Sequence, residues 1–367
     1  MRDAKLIIIC IIMLVTSCSK SSLHTSVEDS SSQSPENIIG WSVSADNHTD
    51  ALNPKSRALV NDYNNLRDAC TQSENKEAEK IGLFGKYNLD GTEKIIFENA
   101  DLWWWEKEGG NPFLDQNGSN SNWNYSGEHV YWKDNAEYLF RAYFPKSKVD
   151  IQPGSGADRI LSVYDSEVSQ YDMMVARRKI AAKSENPVKL DLKHTLAALK
   201  FDFQFVDAGV KDNLLACWLE NDKNGTFYTS STLNYGEEIV WPKSTPVPEG
   251  KAIYYWEPVT PLGITGTGAV EAYSRTAISG KGNTYTGNSG WLLIIPQSSL
   301  GASSLKLCFK TSTGGNAVYS ATLPAYDFKA GYRYNYHIKM TSTKINVGLT
   351  IAEWNERKSS YDIDFNE

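Results

Sequence analysis

The sequence lacks a hydrophobic run long enough to cross a membrane as a helix. In 367 residues the longest continuous apolar run covers positions 6–15, whereas a membrane-spanning helix needs about 20 apolar residues. Arg2 and Lys5 precede the run, and two small residues follow it. This arrangement predicts a signal peptide over residues 1–17.

Cysteine is scarce, with five in the whole chain. Cys10 lies in the predicted signal peptide, which leaves Cys18, Cys70, Cys217 and Cys308. So small and widely spaced a set does not form the disulfide framework of a small secreted domain. Cys217 and Cys308 lie in apolar runs of the same half of the chain, so a bridge between them stays open beside the alternative of buried free thiols.

Cys18 stands where a bacterial lipoprotein receives its lipid. The sequence LVTSC at positions 14–18 resembles the bacterial lipobox. The thiol is the acceptor for the diacylglyceryl group, and small neighbours fit the peptidase that cuts before the cysteine. We therefore expect lipid, including palmitate, on Cys18 and attachment to the outer membrane through it; an ordinary secretory signal peptide is the alternative. The Ser-rich residues 18–36 form a tether, because they bury too little apolar surface to offset ordering entropy.

The chain also lacks a net positive charge and recognisable catalytic motifs. The net charge of −7 disfavours nucleic-acid partners, whose binding depends on neutralising phosphates. No HExxH, paired-cysteine zinc spacing or Gly-x-Ser-x-Gly motif is present. Gly280-Lys281 is not a phosphate loop, because Gly282 occupies the place of the metal-binding Ser or Thr. His194, set in an alternating run, is interpreted as a core or inter-strand hydrogen-bonding residue. We expect no enzyme, no cofactor and no metal site.

Short strands separated by turn residues are what the sequence does contain. The stretch at 59–80 is polar and predicts a loop or a short helix, and no segment sustains a helical period. Alternating or short apolar runs bounded by Gly, Pro, Asn and Asp predict strands. They lie at 38–43, 81–87, 95–97, 138–144, 188–206, 214–219, 290–297, 305–310, 318–323, 332–340 and 345–351.

This pattern predicts an all-β fold of antiparallel β-sandwiches. The chain is longer than one compact core usually supports, so two domains are expected. The boundary is placed near Asn186-Pro187, where a segment containing Lys, Arg and Ser gives way to an alternating run. The predicted domains therefore cover residues 37–186 and 187–367.

Several short pieces, in a fixed order, resemble the fimbrillin family of Bacteroidetes, the major and minor subunits of surface pili. The lipobox and the Ser-rich tether are also features of that family. The resemblance covers residues 131–354, whereas 59–128 carries none of its pieces. The pieces are YW at 131–132, YLFRAYFP at 138–145, DMM at 172–174, LDLKHTLAAL at 190–199, LIIPQ at 293–297, FKAGYRY at 328–334 and IAEW at 351–354.

The resemblance implies two tandem transthyretin-like β-sandwich domains, export as a lipoprotein and a surface-exposed fimbrium at the cell outer membrane. It also implies assembly with other pilus subunits by strand exchange. In the family a trypsin-like protease removes an amino-terminal segment with the first strand, and a neighbour's strand fills the groove. Such a strand satisfies an open row of backbone groups and covers an apolar slot.

Carried over to this chain, the resemblance assigns the removable first strand to Ile38, Ile39, Trp41 and Val43. It assigns the cleavage bond to Arg57 and Ala58, in a polar stretch after Pro54. Lys55 and Arg67 are rival basic residues. The candidate donor strand lies near the end of the chain, where alternation fits either successive groove pockets or a folded edge strand. Its residues are Ile345, Val347, Leu349, Ile351, Tyr361, Ile363 and Phe365. Stalk, tip, accessory and anchor roles stay open.

Aromatic residues give a second hypothesis. The chain has eleven tryptophans, and aromatic faces stack on sugar rings. Three consecutive strand residues point to both faces of a sheet, so at least one of Trp103, Trp104 and Trp105 is expected in the core. The Asn- and Gly-containing segment 109–124 predicts a long loop that exposes Trp123. A cell-surface lipoprotein that binds host or bacterial glycans through Trp105 and Trp123 is therefore the alternative, or an additional, function.

Overall fold

The computed structural model describes much of the chain between residues 37 and 365. Within these parts the regular secondary structure is almost entirely β-strand, with one α-helix, so the all-β prediction is confirmed. The described residues are 37–45, 63–72, 78–105, 123–207, 209–222, 226–258, 260–273, 290–297, 305–313, 315, 317–324, 326–341, 344–353 and 361–365.

The strands are numbered in chain order, and α1 (Tyr63–Cys70) lies between the first two. The first twelve are β1 (Trp41–Ala45), β2 (Thr71–Gln72), β3 (Ile81–Leu89), β4 (Thr92–Trp105), β5 (Trp123–Tyr125), β6 (Glu137–Phe144), β7 (Asp150–Ile151), β8 (Ile160–Asp165), β9 (Met174–Ala181), β10 (Val188–His194), β11 (Ala197–Phe205) and β12 (Lys211–Asn221). The remainder are β13 (Ser230–Tyr235), β14 (Ile239–Val240), β15 (Ala252–Trp256), β16 (Leu262–Thr265), β17 (Val270–Glu271), β18 (Leu292–Ile294), β19 (Leu305–Thr311), β20 (Tyr319–Thr322), β21 (Tyr332–Met340), β22 (Ile345–Glu353) and β23 (Tyr361–Phe365).

The first sheet has the strand order β1-β10-β9-β6-β3-β4-β2, with β5 paired to β4. It curls until its two ends meet, because the Trp41 ring in β1 contacts Phe97 in β4 and Tyr125 in β5. Apolar residues on the inner face form one core, which α1 covers with Leu66 and Cys70. These two residues are four apart and share one helix face, so the short-helix alternative for this stretch is confirmed.

A four-stranded sheet, β14-β13-β8-β7, packs against the outer face of the first sheet. It takes β7 and β8 from the first predicted domain and β13 and β14 from the second. Strand β10 begins at Val188, directly after the boundary predicted at Asn186-Pro187, and pairs with β9 and β1 of the first sheet. The chain leaves that sheet only after His194, and β11 begins another sheet at Ala197.

The second half forms a β-sandwich. One layer has the order β17-β11-β21-β22-β23, with β18 paired to β11, and the other has β15-β12-β19-β20, with β16 paired to β12. Their facing side chains form a single core. Antiparallel pairs predominate, as predicted, but β1–β10, β11–β21 and β2–β4 are parallel. Each of these pairs joins strands that are far apart in sequence, so no tight hairpin fixes their direction.

The cysteines resolve the question of a disulfide. Cys308 lies directly opposite Trp218 in the β12–β19 ladder, so its side chain shares a face with Trp218. Cys217 precedes Trp218 and points to the opposite face, into the sandwich core. Cys70, Cys217 and Cys308 are buried and are not in a disulfide, so Cys217 and Cys308 follow the alternative without a bridge. Burial raises the pKa of the Cys308 thiol to about 12.

Candidate assembly site at the first strand

The first strand is a short, strictly alternating segment at the end of its sheet. Trp41, Val43 and Ala45 are buried, whereas Ser42 and Ser44 are half-buried. This pattern puts one apolar face into the first core and leaves a hydroxyl-bearing face outside. Strand β1 therefore combines an edge position in the strand order with a fully buried inner face.

Backbone hydrogen bonds connect the β1 segment to two different neighbours. Strand β1 runs parallel to β10, with Trp41 opposite Val188, and the Val188 amide donates to the Gly40 carbonyl at 2.8 Å. Just before β1, the Ile39 amide donates to the Val130 carbonyl at 2.9 Å. The segment thus closes the curled sheet between β10 and residues 130–132.

Asn186 holds the start of this segment through its side chain. Its Oδ1 accepts from the Gly40 amide at 2.9 Å, and its Nδ2 donates to the Ile38 carbonyl at 3.1 Å. Both bonds go to backbone atoms, so they depend on the path of the strand rather than on its side chains. Further along, Ser44 donates to Asp191 of β10. Sequence reasoning treated Asn186 only as a domain boundary, and no sequence signal other than Asn-Pro marks it.

The Trp41 ring fills the centre of the first core. It packs edge-on against Phe97 at 5.6 Å and Phe140 at 5.0 Å between ring centroids. Ile38 and Ile39 are 3% and 1% exposed. Removal of this segment would open an apolar slot beside the backbone groups of β10, and exposed strand edges of this kind bind other strands. The four residues assigned to the removable strand therefore lie together in one site.

The other processing residues lie outside the described parts of the chain. These are Cys18, Arg57 and Ala58, together with the rival Lys55. The rival Arg67 is described and lies within α1, where Leu66 and Cys70 are buried. A protease cleft takes an extended backbone, so the helical setting of Arg67 disfavours cleavage there.

The candidate donor residues divide between two strands. Strand β22 contains Ile345, Val347, Leu349 and Ile351 and lies between β21 and β23. Leu349 and Ile351 are buried in the sandwich core, so their release would disrupt that core. Strand β23 contains the other three candidates, Tyr361, Ile363 and Phe365, and pairs only with β22 among the described strands. In this conformation β23 is a folded edge strand, which is one of the two alternatives for the end of the chain.

The aromatic surface predicted for glycans is not present at Trp123. This residue lies in β5, is 4% exposed and packs edge-on against Trp104 at 5.5 Å. The prediction that Trp123 is exposed in a loop is wrong, because the pairing of β5 with β4 directs its side chain into the first core. Trp105 is half-buried at the end of β4.

His194 has the structural role predicted for it. It is 2% exposed, and its Nδ1 lies 2.9 Å from Oδ1 of Asp172, which is 3% exposed. In the described parts of the chain no three His, Cys, Asp or Glu side chains cluster as a metal site would require. Those parts also contain no helix that is long and apolar enough to span a membrane.

The solved structures with a similar fold include two proteins from Bacteroides species. One is a fimbrial protein from Bacteroides vulgatus ATCC 8482, with 14% identity, a TM-score of 0.56 and coverage of 86% of this chain and 99% of that chain. The other, from Bacteroides uniformis ATCC 8492, has a proposed role in cell adhesion, with 15% identity, a TM-score of 0.50 and coverage of 87% and 99%. At such identities the likeness shows the fold alone.

Sequence comparison gives the family. No curated protein matches the chain. A family model described as fimbrillin-like matches residues 69–354, which is most of the sequence and includes the pieces whose order resembled fimbrillins. This protein therefore belongs to the fimbrillin-like family.

Proposed function

We propose that this protein is a stalk, tip or accessory subunit of a surface fimbrium, exported as a lipoprotein through Cys18 and assembled by strand exchange. Its family and its fimbrial and adhesion-type neighbours support a fimbrial or adhesion subunit. The observation that carries the exchange step is the position of β1, an end strand with a fully buried inner face. Its loss leaves both backbone and apolar surface for a neighbour to cover.

The position of Arg57 in the sequence supports cleavage between β1 and the rest of the fold. Arg57 follows Ala45, the last residue of β1, and precedes α1. A cut after Arg57 would leave β1 held only by noncovalent contacts. These are its backbone hydrogen bonds with β10 and residues 130–132 and the packing of Trp41 in the first core. An incoming strand then competes for the same hydrogen bonds without breaking the chain.

The donor is proposed to be β23 rather than β22. Release of β23 breaks one ladder of five residue pairs with β22. Release of β22 would also break its nine pairs with β21 and expose Leu349 and Ile351. A head-to-tail contact of this type does not close on itself, so it produces a filament.

Replacement of the cleavage residue tests the proposal. Cells carrying Arg57→Gln are expected to accumulate an unassembled lipid-anchored precursor, whereas the control Lys55→Gln assembles as the original chain does. Surface filaments are counted by electron microscopy with an antibody to the protein. Equal filament numbers in both variants would contradict cleavage at Arg57. Loss of palmitate labelling in Cys18→Ala tests the lipid step separately.

A further inference from the structure

Two arginines lie directly opposite each other on the outer face of the first sheet. Arg141 of β6 is paired with Arg177 of β9 in the antiparallel ladder, so their side chains share one face. Like charges in this position repel and destabilise a sheet. The face is covered at this point by the four-stranded sheet, whose Tyr235 lies over Arg141. The arginine pair is therefore partly covered by the four-stranded sheet.

Arg141 is deeply buried, and one of its N–H groups lacks a hydrogen-bond partner in the described part of the chain. It is 1% exposed, its Nε donates to the Ala157 carbonyl at 2.7 Å, and its Cζ lies 5.1 Å from the centre of the Tyr235 ring. Its Nη1 is buried and has no hydrogen-bond partner among the described residues. Burial, together with the charge of Arg177, lowers the pKa of the Arg141 guanidinium to about 10. Buried N–H donors normally have partners.

The guanidinium of Arg177, like that of Arg141, has a buried N–H group without a hydrogen-bond partner among the described residues. Its Nε is buried and likewise has no partner within the described part of the chain. Its Nη2 donates to Oε1 of Glu237 at 3.3 Å, which is long for a charge-assisted bond. The Arg177 side chain is 28% exposed and that of Glu237 is 84% exposed. Glu237 is therefore held loosely at the solvent side of the arginine pair.

The nearby basic residues on the same face already have close acidic partners. Lys86 contacts Glu93 at 2.8 Å and Asp158 at 2.7 Å, and Lys179 contacts Glu137 at 3.2 Å. Arg141 contacts no carboxylate among the described residues, and one carboxylate serves the arginine pair. Arg141, Arg177 and Glu237 together carry a net charge of about +1, which the surplus carboxylate at Lys86 offsets in part. Two buried N–H donors of the pair have no partner among the described residues. These features match a single monoanion with two acceptor oxygens.

We propose that Arg141 and Arg177 form a binding site for a carboxylate. The carboxylate enters from the side of Arg177 as Glu237 swings outward, and it accepts from Nη1 of Arg141 and Nε of Arg177. The Tyr235 ring and the Ala157 carbonyl hold the Arg141 guanidinium in place. This site is separate from β1 and gives the protein a ligand-binding function in addition to assembly.

Titration of the full chain with sodium acetate and sodium glucuronate at constant ionic strength tests the site. Binding is followed by the arginine Nε–H signals in NMR spectra. Arg177→Gln is expected to weaken the binding of both anions about tenfold, the effect of one charge-assisted hydrogen bond. Glu237→Gln is expected to tighten binding a few-fold, since it removes the competing carboxylate. The matched control Lys179→Gln removes a neighbouring charge and changes affinity less than about twofold.

The outcomes separate the site from its rivals. Glucuronate that binds more tightly than acetate supports additional contacts with the sugar, and equal affinities support recognition of the carboxylate alone. No signal shift with either anion would overturn the proposal and leave a buried water as the partner of the two donors. Phosphate that binds more tightly than acetate would overturn the choice of a carboxylate. Because Arg141 is buried, Arg141→Lys is compared only after its folded spectrum matches that of the original chain.

Discussion

The Trp41 ring of β1 packs edge-on against the Phe140 ring of β6, with centroids 5.0 Å apart and planes at 84°. These two strands are not neighbours in the sheet, because β10 and β9 lie between them. The contact therefore crosses the interior of the curled sheet. Trp41 is therefore the main apolar anchor of β1. The two edges of the strand are held by hydrogen bonds.

Replacement of Trp41 is expected to cost more stability than replacement of its outward neighbour. Trp41→Ala removes a fully buried ring, and such changes lower the free energy of unfolding by about 3–5 kcal/mol. Ser42→Ala, on the half-buried face, is expected to change it by about 0.5 kcal/mol or less. Urea unfolding measures both. A loss below about 1 kcal/mol for Trp41→Ala would show that the anchor role is wrong.

The Asn186 side chain is expected to protect the start of the β1 segment. Asn186→Ala removes the acceptor of the Gly40 amide and the donor to Ile38, at a cost of about 1–2 kcal/mol. Hydrogen exchange of the Gly40 amide is expected to become about tenfold faster or more. Asn186→Asp keeps the acceptor, so it preserves more of this protection than the Ala variant does. Unchanged exchange in Asn186→Ala would contradict the clamp.

Gly82 is expected to tolerate no side chain. A Cβ at this position would lie 2.1 Å from Cε1 of Tyr143, and the Tyr143 hydroxyl donates to Asn99 at 2.6 Å, which fixes the ring. Gly82→Ala is expected to lower stability by about 1–3 kcal/mol through overpacking. Gly156→Ala is the control, because nothing lies within 4 Å of its added Cβ. Thermal unfolding measures both variants. An equal fall in the unfolding temperature of both variants would contradict the packing explanation.

Asp212 is expected to make stability depend on acid pH. Burial alone would raise the pKa of Asp212, but hydrogen bonds from Ser312, Thr311 and the amides of Asn213 and Thr313 hold it at about 2, below the ordinary 3.8. The ionised Asp212 carboxylate therefore stabilises the folded state fully when the pH is above the ordinary pKa of 3.8. This stabilisation is lost as the pH falls through about 2. Asp212→Asn is expected to be less stable at pH 5, with the difference narrowing toward pH 2. Urea midpoints across this range measure it, and a constant difference would contradict the pKa shift.

Most strands follow directly from local alternation. The predicted runs at 81–87, 138–144 and 332–340 lie within β3, β6 and β21. Their alternation reflects the physical requirement that each strand present one face to a core. Strand β1 was recognisable for the same reason, since Trp41 and Val43 alternate with serines. The polar stretch before β3 gave a weaker signal and left loop and helix equally open.

The errors arise where long-range pairing decides the structure. Trp123 lies in an Asn-rich segment that reads as a loop, and its burial depends on a ladder with β4. The pairing of β10 with β1, which lies far away in sequence, is likewise not visible in local patterns. The Arg141–Arg177 pair was missed for the same reason. Local patterns contain no information about which residues become cross-strand neighbours.

The amino terminus of subunits recovered from surface filaments tests the strand-exchange account most directly. Mass spectrometry and amino-terminal sequencing would identify it. The account predicts that assembled subunits begin at Ala58 and lack Trp41 and the rest of β1. Assembled subunits that begin at Cys18 and retain β1 would contradict it.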